Sequence, residues 1–290
     1  MNLFSMSNCK LALGTVQFGM PYGVNNKSGV PTEIELKQIF ETATKASITL
    51  LDTASAYGNA EEKIGEHVAN NFNIVSKFSR VTKKEEFQKM LNTSLGKLRS
   101  SSIYGYLAHN AENLIEYPFI WDLLLDSREK GHIRKIGFSL YTTDQLEKLL
   151  SLKILPDLVQ LPYSMLDRKF EKGIFLLKQN GCEIHVRSVF LQGLYFMDPE
   201  RLPLKLASLK EPLKKLESLC KNYQIESAQL ALNFVISNLN IDKVVIGVDN
   251  VEQLEKNIAA VNTWKNIPDI WEKVNSIKIA NQELLNPVNW

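Results

Sequence analysis

The chain has 290 residues, 44% of them hydrophobic, enough for one large α/β domain or two small ones with a sizeable core. Its 34 Lys and Arg nearly cancel 32 Asp and Glu, leaving a net charge of +2, which excludes a general basic field for nucleic acid or acidic membranes and favours small neutral or locally anionic ligands. Three cysteines, Cys9, Cys182 and Cys220, are odd in number and widely spaced, which suits reduced thiols rather than a disulfide framework.

Residues Met1 to Lys10 are interrupted by Asn2, Ser5, Ser7 and Asn8, so they lack the apolar core of a signal peptide. No apolar stretch approaches the ~18 residues that span a bilayer. A cytoplasmic protein that is a monomer or small homo-oligomer is expected, with neither membrane nor nucleic acid as a partner. A first strand over Leu11–Thr15 leads into Val16 to Tyr22. Apolar residues at three-to-four spacing then predict a helix over Glu33–Ala46, followed by a strand over Thr49–Asp52. The same alternation continues with a helix over Glu61–Asn70, a strand over Asn73–Lys77, a helix over Lys84–Leu98 and a strand over Tyr104–Ala108. It runs on through Phe119–Lys130 (helix), Lys135–Ser139 (strand), Thr143–Leu152 (helix), Leu158–Gln160 (strand) and Phe170–Gln179 (helix), to strands over Glu183–Ser188 and Lys243–Ile246. Gly131 and Gly181 stand where helices should stop, and Thr142 or Thr143 where one should begin. The longest irregular stretch, Tyr195 to Glu211, marked by Pro199, Pro203 and Pro212, follows the seventh strand.

Eight strands separated by helices predict α/β architecture as a closed parallel (β/α)8 TIM barrel. The whole chain, 1–290, reads as one domain, with a barrel core over about 9–262 and a C-terminal extension over 263–290. A doubly wound sheet is the competitor, but Leu13-Gly14-Thr15-Val16-Gln17-Phe18-Gly19 does not match the GxGxxG turn that such a fold would carry after its first strand. In a barrel the C-terminal strand ends converge on one mouth, and the 195–211 stretch would lie there.

Asp52, Lys77 and His109 each close a predicted strand, and Tyr57 stands on the loop just after the second. Alone, each has a plain reading: an aspartate before threonine as a cap, a Tyr-Gly turn as packing, a lysine at a strand end as solvated, a histidine as partly buried core. Together they form a chemical set. A carbonyl receiving hydride develops alkoxide charge and needs a proton donor and a polarising hydrogen bond. Tyr57 could supply the proton, Lys77 stabilise its phenolate, Asp52 hold the lysine charged, and His109 orient the carbonyl as a neutral donor. His67, His109, His132 and His185 show no short ligand spacing, so no metal site is expected.

These phrases, above all Leu50-Leu51-Asp52-Thr53-Ala54-Ser55-Ala56-Tyr57-Gly58-Asn59-Ala60-Glu61, resemble the aldo-keto reductase family, and the resemblance runs from Leu11 to Asn257. It implies NADPH or NADH as cofactor and reduction of an aldehyde, ketone or sugar carbonyl to an alcohol. Tyr57 is then the general acid, with Lys77 and Asp52 as its tuning partners and His109 as substrate orienter. Ile136-Gly137-Phe138-Ser139-Leu140 is similar to the family's fifth-strand phrase, in which Ser and then Asn hold the nicotinamide carboxamide; here Leu140 replaces Asn, leaving Ser139 and Gln160. Arg187 stands where many relatives stack an aromatic on the nicotinamide, and Ser188, Phe190 and Gln192 would line the pyrophosphate. Gly14 and Thr15 at the first strand's end, with Gly247, Asp249, Gln253 and Asn257 after the eighth strand, complete the implied cofactor contacts. Relatives that prefer NADPH usually place Lys or Arg where this chain has Asp249, so NADH should be used comparably or better. Gln17, Phe18, Met20, Tyr22 and Asn110 are expected to shape the substrate pocket. The short lead-in before the first strand departs from relatives that open with a hairpin closing the barrel bottom. Two other readings stay open: a nicotinamide-nucleotide-sensing regulatory subunit on the same barrel, and an unrelated barrel isomerase or lyase.

Overall fold

The computed structural model describes residues 9–23, 29–68, 71–286 and 289–290. The expected absence of an N-terminal hairpin falls on residues 1–8, outside the described residues, as does Asn70. Eight parallel strands close into a barrel in sequence order: β1 (Leu11–Gly14), β2 (Leu50–Asp52), β3 (Asn73–Phe78), β4 (Ile103–Ala108), β5 (Ile133–Ser139), β6 (Leu158–Pro162), β7 (Glu183–Arg187) and β8 (Lys243–Gly247). Pairing of β1 with β8, Leu11 opposite Val244 and Gly14 opposite Gly247, closes the ring. Outside it lie α1 (Val16–Gly19), α2 (Glu33–Lys45), α3 (Ala60–His67), α4 (Lys84–Lys97), α5 (Glu112–Glu116), α6 (Phe119–Glu129), α7 (Thr143–Ser151), α8 (Glu171–Gln179), α9 (Lys210–Tyr223), α10 (Ser227–Ile236), α11 (Val251–Asn262) and α12 (Ile270–Ser276).

Alternation along the strands divides two cores. Leu11, Leu13, Leu51, Ile136, Val159, Ile184 and Val186 face outward into the main apolar layer shared with the helices. Ala12, Leu50, Val75, Leu107 and Leu158 form a separate small cluster, with Tyr104 and Val245 against it, filling the barrel interior. Each inward row ends, one residue pair further on, in polar groups: Asp52 above Leu50, Lys77 above Val75, His109 above Leu107 and Gln160 above Leu158.

The stretch after β7 is less irregular than expected. It holds three 3-10 turns, Leu191–Phe196, Pro199–Arg201 and Leu204–Leu209, and runs directly into α9. Pro212 belongs to the first turn of α9, where a missing N–H breaks no intrahelical bond.

Candidate active site

The barrel's second and third strands deliver a buried ion pair. Lys77 is fully buried near the end of β3, and its Nζ donates to Asp52 Oδ1 at 2.6 Å and to the Thr53 carbonyl at 2.9 Å. The other carboxylate oxygen, Asp52 Oδ2, accepts from Gln160 Nε2 at 2.6 Å. A buried pair needs further partners for its remaining lone pairs and protons, and Thr53 and Gln160 supply two of them here. Burial pushes the Lys77 ammonium below its ordinary range, and Asp52 pulls it back up.

Tyr57 lies over that pair, with Lys77 Nζ 5.4 Å from its ring centroid. The His109 ring meets it edge-to-face, centroids 5.7 Å apart at 84°. Its backbone is fixed by two glycines that admit no side chain. A Cβ on Gly19 would stand 1.8 Å from the Tyr57 carbonyl oxygen, and one on Gly58, at φ +57°, would stand 2.3 Å from the Gly19 carbonyl oxygen. Tyr57 N donates to the Ala54 carbonyl and the Tyr57 carbonyl accepts from Ala60 N, both at 3.0 Å, so the turn feeds straight into α3.

Electrostatics separate the roles of these groups. Burial, then the Asp52 carboxylate, push the Tyr57 phenol well above its ordinary range, while Arg187 opposes them. The net effect keeps the phenol protonated at neutral pH. Burial, then the Lys77 charge, push the His109 imidazole down to about 4, which leaves it neutral at pH 7 as expected.

The β7 end forms another wall. Arg187 lies 4.4 Å over the Tyr141 ring centroid, its Nη2 donates to the Leu140 carbonyl at 3.0 Å, and its Nη1 to Ser188 Oγ at 3.3 Å. Ser188, Leu191, Gln192 and Gly193 all take positive φ, a concentration of left-handed backbone typical of ligand-holding loops. Gln192 Nε2 donates to Tyr22 Oη at 3.2 Å, joining the loops after β7 and β1. Phe190 is half-buried there and packs on Phe196. Tyr141 was not foreseen from the sequence; its only signal is its place directly after Ser139-Leu140.

The remaining expected residues divide. Ser139 is buried at the end of β5. Met20 and Tyr22 are exposed on the rim, as a pocket wall requires. Phe18 is not: it is fully buried and meets Phe40 edge-to-face, because the single turn of α1 rotates it into the core. Gln17 is buried against Gly247, whose added Cβ would meet its amide at 2.6 Å, so it lies below the pocket rather than lining it. Thr15 is likewise buried, its hydroxyl donating to the Asp52 carbonyl at 3.0 Å, which makes it a tie between β1 and β2. Gly14 pairs with Asp52 on one side and Gly247 on the other. Asn110 is exposed, its Oδ1 capping the Glu112 amide at 3.0 Å. Asp249 and Gln253 bond each other twice, through Asp249 N to Gln253 Oε1 at 2.9 Å and Gln253 Nε2 to Asp249 Oδ2 at 3.1 Å. Asn250 caps the α11 amide of Gln253, and Asn257 is buried one turn on.

These surroundings suit a phosphate-bearing dinucleotide. Gln17 Oε1, an acceptor, is buried without a hydrogen-bond partner among the described residues beside the side-chain-free Gly247, and so suits a hydroxyl or N–H of such a ligand rather than its phosphate. The α11 N-terminus and the left-handed β7 loop present backbone amides suited to an anion. Among the described residues, no group of three or more His, Cys, Asp or Glu could hold a metal ion.

The model of the Aldo/keto reductase family matches residues 10–279. An NADH-specific methylglyoxal reductase of Escherichia coli (strain K12) is 26% identical over 263 residues, covering 76% of this chain and 80% of that protein. An aldo-keto reductase from Bacillus halodurans, solved in its holo form, shares the fold with a TM-score of 0.77 at 19% identity, covering 94% of this chain and 93% of its own. The glycerol dehydrogenase from Gluconobacter oxydans does so at 0.72 and 18% identity, covering 93% of this chain and 91% of its own.

Proposed function

Because this chain belongs to the aldo/keto reductase family, we propose that Asp52, Tyr57, Lys77 and His109 carry its reaction, the reduction of the carbonyl of a small aldehyde, ketone or sugar. As a family member it is an NAD(P)-dependent oxidoreductase, and the cofactor when bound supplies the hydride. Tyr57 gives the proton to the developing alkoxide, since its buried phenol keeps that proton at neutral pH. Lys77, braced by Asp52, offers positive charge beneath the ring as the proton leaves. His109, neutral at pH 7, donates a hydrogen bond that aligns the carbonyl. The observation that carries this reading is the Lys77–Asp52 pair buried directly under Tyr57.

Ser139 and Gln160 at the strand ends, Ser188 to Gln192 after β7, and Gly247 to Asn257 after β8 would hold the cofactor. NADH is proposed as the better one: Asp249 puts a carboxylate on the turn before α11, and the E. coli relative is named as NADH-specific. A cytoplasmic location and a monomer or small homo-oligomer belong to the same proposal; no helix among the described residues is long and apolar enough to cross a membrane. The test is oxidation of NADH and NADPH against a panel of aldehydes, ketones and sugars. Turnover faster with NADH is expected, and cofactor oxidation with no carbonyl in the panel would overturn the reading.

A further inference from the structure

The cations nearest the reacting groups are mostly accounted for: Lys77 is paired with Asp52, Lys169 with Asp167 at 2.6 Å, and the His109 imidazole is neutral at pH 7. Arg187 has no such partner. No carboxylate among the described residues lies within 4.0 Å of its guanidinium.

A guanidinium has five N–H donors. Arg187 uses one on the Leu140 carbonyl and one on Ser188 Oγ. Three remain, on a plane held by the Tyr141 ring at 4.4 Å. Tyr141 is fixed in turn, since its amide donates to Gln145 Oε1 at 2.8 Å at the start of α7. The cation thus lies across the ends of β5 and β7, half-buried and with its plane already set, which is the preorganisation that a bidentate contact to a carboxylate needs. Its charge reaches Tyr57, Lys77, His109 and the buried Asp167, so the guanidinium lies close to the reacting groups of the mouth.

We infer that Arg187, stacked on Tyr141, receives a carboxylate carried by the substrate, and that the preferred substrates are small oxo acids whose carbonyl lies beside that carboxylate. This rests on the carbonyl-reduction reading. The carbonyl carbon gains hydride from the reduced nicotinamide, its oxygen gains the Tyr57 proton, and solvent restores that proton; the product is the hydroxy acid, its carboxylate unchanged. The other anion that such a fork would suit is a cofactor phosphate, and the experiment separates the two.

Pyruvate and its methyl ester present the same carbonyl with and without the charge. The wild-type protein should reduce pyruvate with the higher kcat/KM, and Arg187→Met should lower the acid-to-ester ratio roughly 10- to 100-fold, the worth of a charge-assisted contact. Oxamate, which carries the carboxylate but is not reduced, should compete with methyl pyruvate in the wild-type protein; this arm needs no variant. Reduction of the ester without preference for the acid and without oxamate competition overturns the proposal and leaves carbonyl reduction standing. A variant that loses acid and ester activity in equal proportion, with weaker NADH binding by fluorescence, assigns Arg187 to the cofactor and also overturns it. Absence of turnover with every carbonyl tried overturns both.

Discussion

Tyr57 lies under opposing influences: burial and the Asp52 carboxylate raise its pKa, and the Arg187 guanidinium lowers it. The first two win, so the rate of reduction should hold across neutral pH and fall only in alkali. Tyr57→Phe should reduce turnover roughly 10²- to 10⁴-fold while NADH affinity, read by fluorescence, stays within a few-fold. Retained turnover would remove Tyr57 from the donor's role. His109 makes a second prediction through linkage. Its folded pKa of about 4 lies below the ordinary 6.5, so the unfolded chain takes up a proton that the folded one refuses. This contribution to stability is fully present above pH 6.5 and is lost as the pH falls toward 4. His109→Gln should therefore show a smaller drop in thermal midpoint between pH 7 and pH 5 than the wild-type protein; equal drops would mean that the imidazole is not the group responsible. Asp52, Lys77 and His109 were legible because each lies within a residue of a strand end, where geometry leaves little freedom. Phe18 and Gln17 depart from the expected pocket lining because one helical turn after the strand end sends them inward, a direction that spacing alone does not give.

At the scale of elements, all eight strands were legible because each carries a short, mostly buried apolar run, and the structure moves their ends by no more than a residue or two. Helix α10 was missed for the opposite reason. Leu230 to Val235 are all buried, Asn233 among them, so no polar stripe marks a helical period. The cap of α7 was read correctly. Thr142 Oγ1 accepts from Gln145 N, while Gln145 Oε1 accepts from Thr142 N and Tyr141 N. Thr142→Ala should lower stability by about 1 kcal/mol, measured as a shift in urea midpoint at constant slope. An unmoved midpoint would show that the reciprocal bonds on Gln145 hold the turn without the threonine.

For the whole molecule, the segment after α11 behaves as part of the barrel rather than an appendage. Ile270, Val274, Ile277 and Leu285 are buried, and Trp271 stacks on Trp264 and meets Phe234 of α10 edge-on. Arg168, on the loop after β6, donates to the Val274 and Ile277 carbonyls and to Asn275 Oδ1. Burying four such side chains stabilises by roughly 6–12 kcal/mol, comparable with the ~5–15 kcal/mol that holds a typical domain. Deleting residues 264–290 should therefore abolish cooperative thermal unfolding, followed by circular dichroism; a sharp transition within a few degrees of the full chain would refute this. Closure of the ring sets a different demand, one of time. The free edge of β1 waits for β8, about 230 residues later in the chain. At ~5–20 residues per second a ribosome needs roughly ten to fifty seconds to make them. Any partial barrel that forms in that interval would carry an unpaired apolar edge, Leu11-Ala12-Leu13. Yield in a cell should then depend on the rate of synthesis and on chaperones that cover that edge, more than on the stability of the finished barrel.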